Sequence, residues 1–480
     1  MISSFWAGVS PTDPRLEVDG GHPVLQVPNY SSTVLPLWVH GDGVEYSEND
    51  SLMVFTTGSC LSTTSSMDSM FYMASWVKSV TARSKDGHDG DTWQQIWLPL
   101  MWSLMSCWLG FHPSKDWHNK PFAPDSVFFP LAGKPLLGGI RFVVWNMLGD
   151  LEFFANVLGM SHWNSDELCW ACDASNKDAA RDWQCNWANR GWTLRDPADY
   201  KFNTLHPLFK LPGVTSWCVC FDQLHCLDNH GVASHLVGSS LHQMIYTKVR
   251  GKAANEELAR LWRRIGELYR ELGIEERLTN LTLAMLCNVD KPHANYPTLK
   301  AKAAETRHLV PVMAKLLVEE DDGSDVSQHR IQAIQALCSF YTILESQPMF
   351  LPPSASNAVM KTMETLLLHY AWLHDDALGK DQWLYNMVPK CHYSWHLAYN
   401  CRFMNARFSW TYKCESWVGK VSHIAASCAA GTSLTKLSVP LADKYRMLVH
   451  VRISRCVFDE GLGLHQTQCQ NHKSFAASKA

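Results

Sequence analysis

At 480 residues the chain is too long for one compact core and too short for more than about three or four domains. Its composition, 46% hydrophobic and 18% charged, excludes a mostly disordered chain. A formal charge of -4 weighs against a surface coated in basic residues, though it leaves room for a local basic groove. Met1 to Leu16 shows no basic head followed by an apolar run, so no secretory signal is expected and the chain is placed inside the cell. In a reducing compartment the 16 cysteines are mostly free thiols, with a minority serving as metal ligands. The 21 tryptophans supply large rings for the core. The apolar run Ile96 to Phe111 is too short for a membrane span and reads as a buried helix.

Residues 1–30, with Pro11, Pro14, Pro23 and Pro28, read as an irregular lead-in. Residues 31–159 hold the first elements of a core. The text "TVLPLWVH" predicts a strand closed by the turn "GDG", and "SLMVFTTGSCL" and "FYMASWVKSV" predict two more strands in an antiparallel meander. A helix follows over "DTWQQIWLPLMWSLMSCWLGF", stopped by Gly110 and Pro113. Next come a buried strand ending at Asp150 and a short helix in "LEFFANVLGM". Residues 160–226, rich in Cys, Trp, Asp and Asn, read as a loop-rich insert, and 227–385 as a helical insertion. Its clearest helix is "NEELARLWRRIGELYRELG", where Leu258, Leu261, Trp262, Ile265, Leu268 and Tyr269 repeat at helical spacing. Residues 386–454 return to the core with a helix that carries Glu415 in its first turn, and 455–480 form a polar tail expected to fray.

Asp42 and Asp150 each stand at the end of an apolar strand. Carboxylates placed where neighbouring strand ends converge can bind hard divalent cations through oxygen. Two Mg²⁺ or Mn²⁺ ions, roughly 3.5–4 Å apart, can activate a water or 3′-hydroxyl and stabilise the leaving oxygen of a phosphodiester. Glu415 would supply the third ligand. Singly, each residue is also accounted for as a turn former, helix cap or first-turn acid.

Four segments, "PLWVHGDGVEY", "GDLEFFANVLGMSHWNSDELCWAC", "HPLFKLPGVTSWCVCFDQLHCLDNHG" and "PKCHYSWHLAYN...WTYKCESWVGK", occur in a specific order over roughly residues 33–440. In wording and order they resemble the DDE transposases of the Kyakuja-Dileera-Zisupton (KDZ) and Plavaka type, relatives of the hAT transposases. The resemblance implies an α/β, ribonuclease-H-like core: a mixed sheet flanked by helices, interrupted by a Cys-rich insert and a large helical insertion. It also implies that Asp42, Asp150 and Glu415 are the catalytic carboxylates, holding two Mg²⁺ or Mn²⁺ ions for DNA strand cleavage and strand transfer. The implied partners are transposon-end and target DNA, with self-association into a homo-oligomer as a further option, no membrane, and a nuclear location. The alternatives are a catalytically inactive, transposase-derived DNA- or protein-binding protein, for which the short lead-in without a separate DNA-binding region speaks, and a nuclease that cuts without joining.

Cys169 and Cys172 form a CxxC that can reach one Zn²⁺. Candidates to complete it are His162, His206, Cys185 and the pair Asp222 and His225, against the alternative of two reduced core thiols. Asp222 and His225 also match the family's DxxH motif, and as support for a DNA end or catalytic water they stand beside a plain structural hydrogen bond. His392 and His396, at i and i+4, could bind a metal if helical. Without a third ligand nearby, a packing or DNA-backbone role is preferred. Arg260, Arg263, Arg264 and Arg270, with Lys248, Arg250 and Lys252, give the best basic patch, but the interleaved Glu256, Glu257, Glu267 and Glu271 favour a salt-bridged surface.

Overall fold

A computed structural model describes residues 1–17, 21–62, 69–81, 92–184, 190–196, 206–248 and 253–461. Four strands form one mixed sheet: β1 (Val34–Ser47), β2 (Asp50–Ser59), β3 (Phe71–Val77) and β4 (Arg141–Gly149), in the order β3-β2-β1-β4. The meander β1-β2-β3 is antiparallel, as its short connections require, and β4 adds to β1 in parallel after a long crossover. A single parallel bridge, Met147 to Val219, continues the sheet past β4.

Alternation along the strands divides the core. Val54, Val143 and Trp145 face one side, while Phe55, Val144 and Met147 face the other. The first side is covered by α1 (Ile2–Gly8) and, from the far end of the chain, by α10 (Tyr412–Ala429) and α11 (Ser438–Gly461). On the second side lie α2 (Thr92–Leu109) and α3 (Leu151–Asn156), continuous with a helical block of α4 (Val232–Lys248), α5 (Ala253–Glu271), α6 (Ala303–Glu319), α7 (Asp325–Ser346), α8 (Pro353–Gly379) and α9 (Pro389–Asn400). The molecule is thus a mixed α/β protein with a four-stranded sheet flanked by helices and a large helical part.

Three expectations need correction. The lead-in is not irregular throughout: α1 sets Phe5 and Trp6 edge-on against Trp145, and Arg15, stacked over the same ring, bonds Asp13 and the Asn146 Oδ1. Burial of these rings outweighs the prolines. Secondly, "GDG" is not a turn, because β1 runs through it to Ser47 and neither Gly41 nor Gly43 has a positive φ. Thirdly, α11 carries the chain past 454 to Gly461, and the rest of the expected tail lies outside the described residues. Among the described residues no helix is long and apolar enough to cross a membrane.

Candidate functional site

Across the parallel pair, Gly41 of β1 is in register with Gly149 of β4, so Asp42, within β1, and Asp150, just past the end of β4, are brought side by side one residue further on. The glycines are required by close approach. A Cβ on Gly41 would stand 1.9 Å from the Phe153 ring, and one on Gly149 would stand 2.5 Å from that ring and 2.9 Å from the Gly41 carbonyl oxygen. Phe153 therefore closes onto the paired glycines and fixes the start of α3. Asp150 caps that helix, its Oδ1 accepting from the Phe153 amide at 2.5 Å. Asp42 is buried, and both aspartates line a cavity of about 350 Å³ together with Glu152, Asn156, Trp76 and Lys78.

Glu415 comes to this strand edge from the opposite end of the chain. It lies in the first turn of α10 as expected, and the start of that helix is tied down by Asp222. The Thr411 amide and hydroxyl donate to Asp222 at 2.9 and 2.7 Å, and His225 donates to the same carboxylate through Nδ1 at 2.7 Å. The other ring nitrogen, Nε2, faces Glu415 Oε1 at 3.5 Å. Asp222 and His225 thus do form one unit, and it is built onto the acidic group.

The electrostatics follow from burial. Desolvation, then the charges of Glu415 and Asp150, push the Asp42 carboxyl well above its ordinary range. Glu415 is raised as well, first by burial, with His225 opposing and Asp222 and Asp150 adding. Burial by itself would discharge His225, but the bond to Asp222 and the charges of Asp222, Glu415 and Asp150 overcome it and lift the imidazole to about 9. The carboxylates are therefore partly compensated by one imidazolium, and burial opposes charging Asp42 and Glu415 together. Behind them sits a second buried acid missed in the sequence: Asp228 accepts from the hydroxyls of Tyr341 on α7 and Tyr412 on α10, the latter at 2.5 Å.

The tightest ligand cluster lies elsewhere. Cys169, Cys172, His392 and His396 are all buried, and one ligand atom from each lies within 4.8 Å of all the others. His392 Nε2 and His396 Nε2 are 3.1 Å apart and lie 3.2 and 3.3 Å from Cys172 Sγ. Tetrahedral Zn²⁺ with bonds of about 2.0–2.3 Å would space its ligands by about 3.3–3.8 Å, so this group can hold a metal such as zinc. The helix α9 makes it possible by putting i and i+4 on one face. Burial opposes ionisation of Cys169, yet the bond from Cys172 and the two imidazoles hold its thiol well below the ordinary range, whereas burial and Cys169 push Cys172 up. Phe221 stacks on His396 at 5.1 Å and immediately precedes Asp222, so the cluster backs the residue that ties down α10.

Two assignments change accordingly. His392 and His396 are partners of the CxxC, since the fold returns α9 to a loop more than two hundred residues earlier. His162 and His206 take no part: His162 stacks on Trp163 and accepts from the Asn164 amide, while His206 packs edge-on against Trp97 and caps the turn Pro207–Lys210. Cys185 lies outside the described residues, as do Arg250 and Lys252. The expected basic patch is a salt-bridged surface, with Arg260 held by Glu257 and Glu320 and Arg264 by Glu267, Glu271 and Glu319. No protein-family model and no curated protein matches the sequence.

Proposed function

We propose that the chain is a transposase-like enzyme that cuts and joins DNA strands, with Asp42, Asp150 and Glu415 as carboxylate ligands of Mg²⁺ or Mn²⁺ on a ribonuclease-H-like core. One observation carries the reading: carboxylates from β1, from the end of the adjacent parallel strand β4 and from a distant helix come together, and burial makes joint ionisation of Asp42 and Glu415 unfavourable without added cations. The antiparallel β1-β2-β3 meander with β4 parallel to β1 supports the core assignment, and the long interval of helices between Asp150 and Glu415 supports the transposase type.

Oxygen donors of this kind suit hard divalent ions. A two-ion site also suits a group wider than the compact Cys-His cluster, because ligands at either end of an ion pair need not touch. Bound there, such ions would polarise a phosphodiester and activate the attacking hydroxyl. The chain's own residues do the positioning. Asp42, which interacts with both Asp150 and Glu415, would help to hold the ions, Asp222 fixes the first turn of α10, and His225 orients Glu415 and balances part of the negative charge.

The test is nicking and joining of labelled transposon-end DNA with Mn²⁺. The intact chain should be active, and Asp42→Asn, Asp150→Asn and Glu415→Gln should each lose at least about a hundredfold while remaining folded. Binding without nicking by the wild type would reject the enzyme in favour of an inactive, transposase-derived binding protein, and free ends without joined product would reduce it to a nuclease.

A further inference from the structure

We propose that Lys78 binds DNA phosphate in the acidic cleft, seating the phosphodiester adjacent to the one that ions held by the carboxylates would contact; this rests on the DNA-cleaving reading above. The position follows from the sheet. Gly43 of β1 pairs with Met53 of β2, and Met53 with Trp76 of β3, so the three form a row across one face. Lys78 opens the 3-10 turn Lys78–Val80 that follows β3 and lines the same cavity as Trp76 and Met53. Its side chain lies back across the row onto Gly43: a Cβ there would stand 2.4 Å from Lys78 Nζ and 2.9 Å from Cε. The glycine beside Asp42 is thus the seat of the lysine stem.

The ammonium is not spent on neutralising the acids. Asp42, Asp150 and Glu152 line the same 350 Å³ cavity, yet Lys78, an exposed residue, forms no ion pair within 4.0 Å among the described residues. Two of the arginines of the α5 basic patch, Arg260 and Arg264, are by contrast paired with glutamates. The row Gly43, Met53 and Trp76 belongs to the face opposite the Glu415 helix. A strand entering the cavity would therefore meet Asp42 and Asp150 and, beside them, Lys78, with the Glu415 helix on the other face of the sheet. A phosphate there needs a point cation with a flexible reach, which suits lysine.

The assignment is tested by titrating the full chain onto a labelled DNA duplex at several NaCl concentrations with Ca²⁺ present, and by measuring Mn²⁺ affinity without DNA. Lys78→Ala should bind about tenfold more weakly, and its slope of log K against log salt should be smaller by about one, the share of a single phosphate. Lys78→Arg should keep the slope and bind within about twofold of wild type. Mn²⁺ affinity of the DNA-free chain should be unchanged by Lys78→Ala. Wild-type binding with an unaltered slope in Lys78→Ala overturns the assignment alone, as does a manyfold gain in Mn²⁺ affinity, which would make Lys78 a counter-charge of the acids. Failure of the wild-type chain to bind DNA at all overturns both this assignment and the reading beneath it.

Discussion

Gly41 and Gly149 face each other across parallel strands with the Phe153 ring pressed against both, and the spacing of Asp42 and Asp150 depends on that contact. Added methyl groups are thus expected to act through the site as well as the core. Gly41→Ala meets only a side chain, whereas Gly149→Ala also meets backbone, the Gly41 carbonyl oxygen. Both should destabilise the fold by about 1–3 kcal/mol in urea unfolding, with Gly149→Ala the worse. Truncating Phe153 in the Gly41→Ala background should recover less than the sum of the two single losses predicts. Equal and additive effects would remove the argument for a shared contact.

The Cys-His cluster should carry one metal ion per chain by elemental analysis. Cys172→Ser and His396→Ala should lose it, and His162→Ala and His206→Ala should keep it. With free metal about 1,000-fold above Kd the loss should cost roughly 4 kcal/mol of stability. Retained metal in His396→Ala would dismiss the four-residue site.

His225 should titrate near 9 by NMR, and Asp222→Asn should bring it down toward the ordinary imidazole value of about 6.5. Because the folded value lies above the unfolded one, the proton stabilises the fold. That contribution is complete below about 6.5 and disappears as the pH rises through about 9. Thermal midpoints followed over this window should fall for the wild type, and fall less for Asp222→Asn.

Asp228 behaves in the same sense at lower pH. Burial raises its carboxyl to about 7, against the opposing pull of Tyr341, Tyr412, Arg307 and Gln223. The protonated acid is the form the fold prefers, so its contribution is complete below about 4 and is lost as the pH rises through about 7. An amide keeps both polar functions and cannot ionise. Asp228→Asn should therefore flatten the pH dependence of stability between 4 and 7, and Asp228→Ala, which leaves two buried tyrosine hydroxyls without their acceptor, should destabilise at every pH.

Much of the architecture is legible locally. The alternating runs around Val39, Val54 and Val144 give the strands, and the spacing of Trp417, Val421 and Cys428 gives α10 with Glu415 in its first turn. Glycine misleads at "GDG" because its lack of a Cβ serves turns and close packing equally, and only the approach of Phe153 distinguishes them. The candidate metal ligands are obscured by distance. Cys169-x-x-Cys172 and His392-x-x-x-His396 each supply half of the four-residue cluster, while His162 and His206 lie nearer the cysteines in sequence. Two incomplete halves in one chain were the available signal. Asp228 and Lys78 carry no motif, since what distinguishes them is the company they keep after folding.

The order in which the acidic edge is assembled has a consequence for synthesis. Asp42 and Asp150 emerge early, but Asp222 and His225 meet the α10 turn that presents Glu415 through the Thr411–Asp222 bonds and the His225–Glu415 contact, which form only once residues 411–415 have been made. A nascent or prematurely terminated chain lacking that turn holds two adjacent carboxylates without their third partner. The three-carboxylate group is therefore completed only after translation has passed the whole helical block.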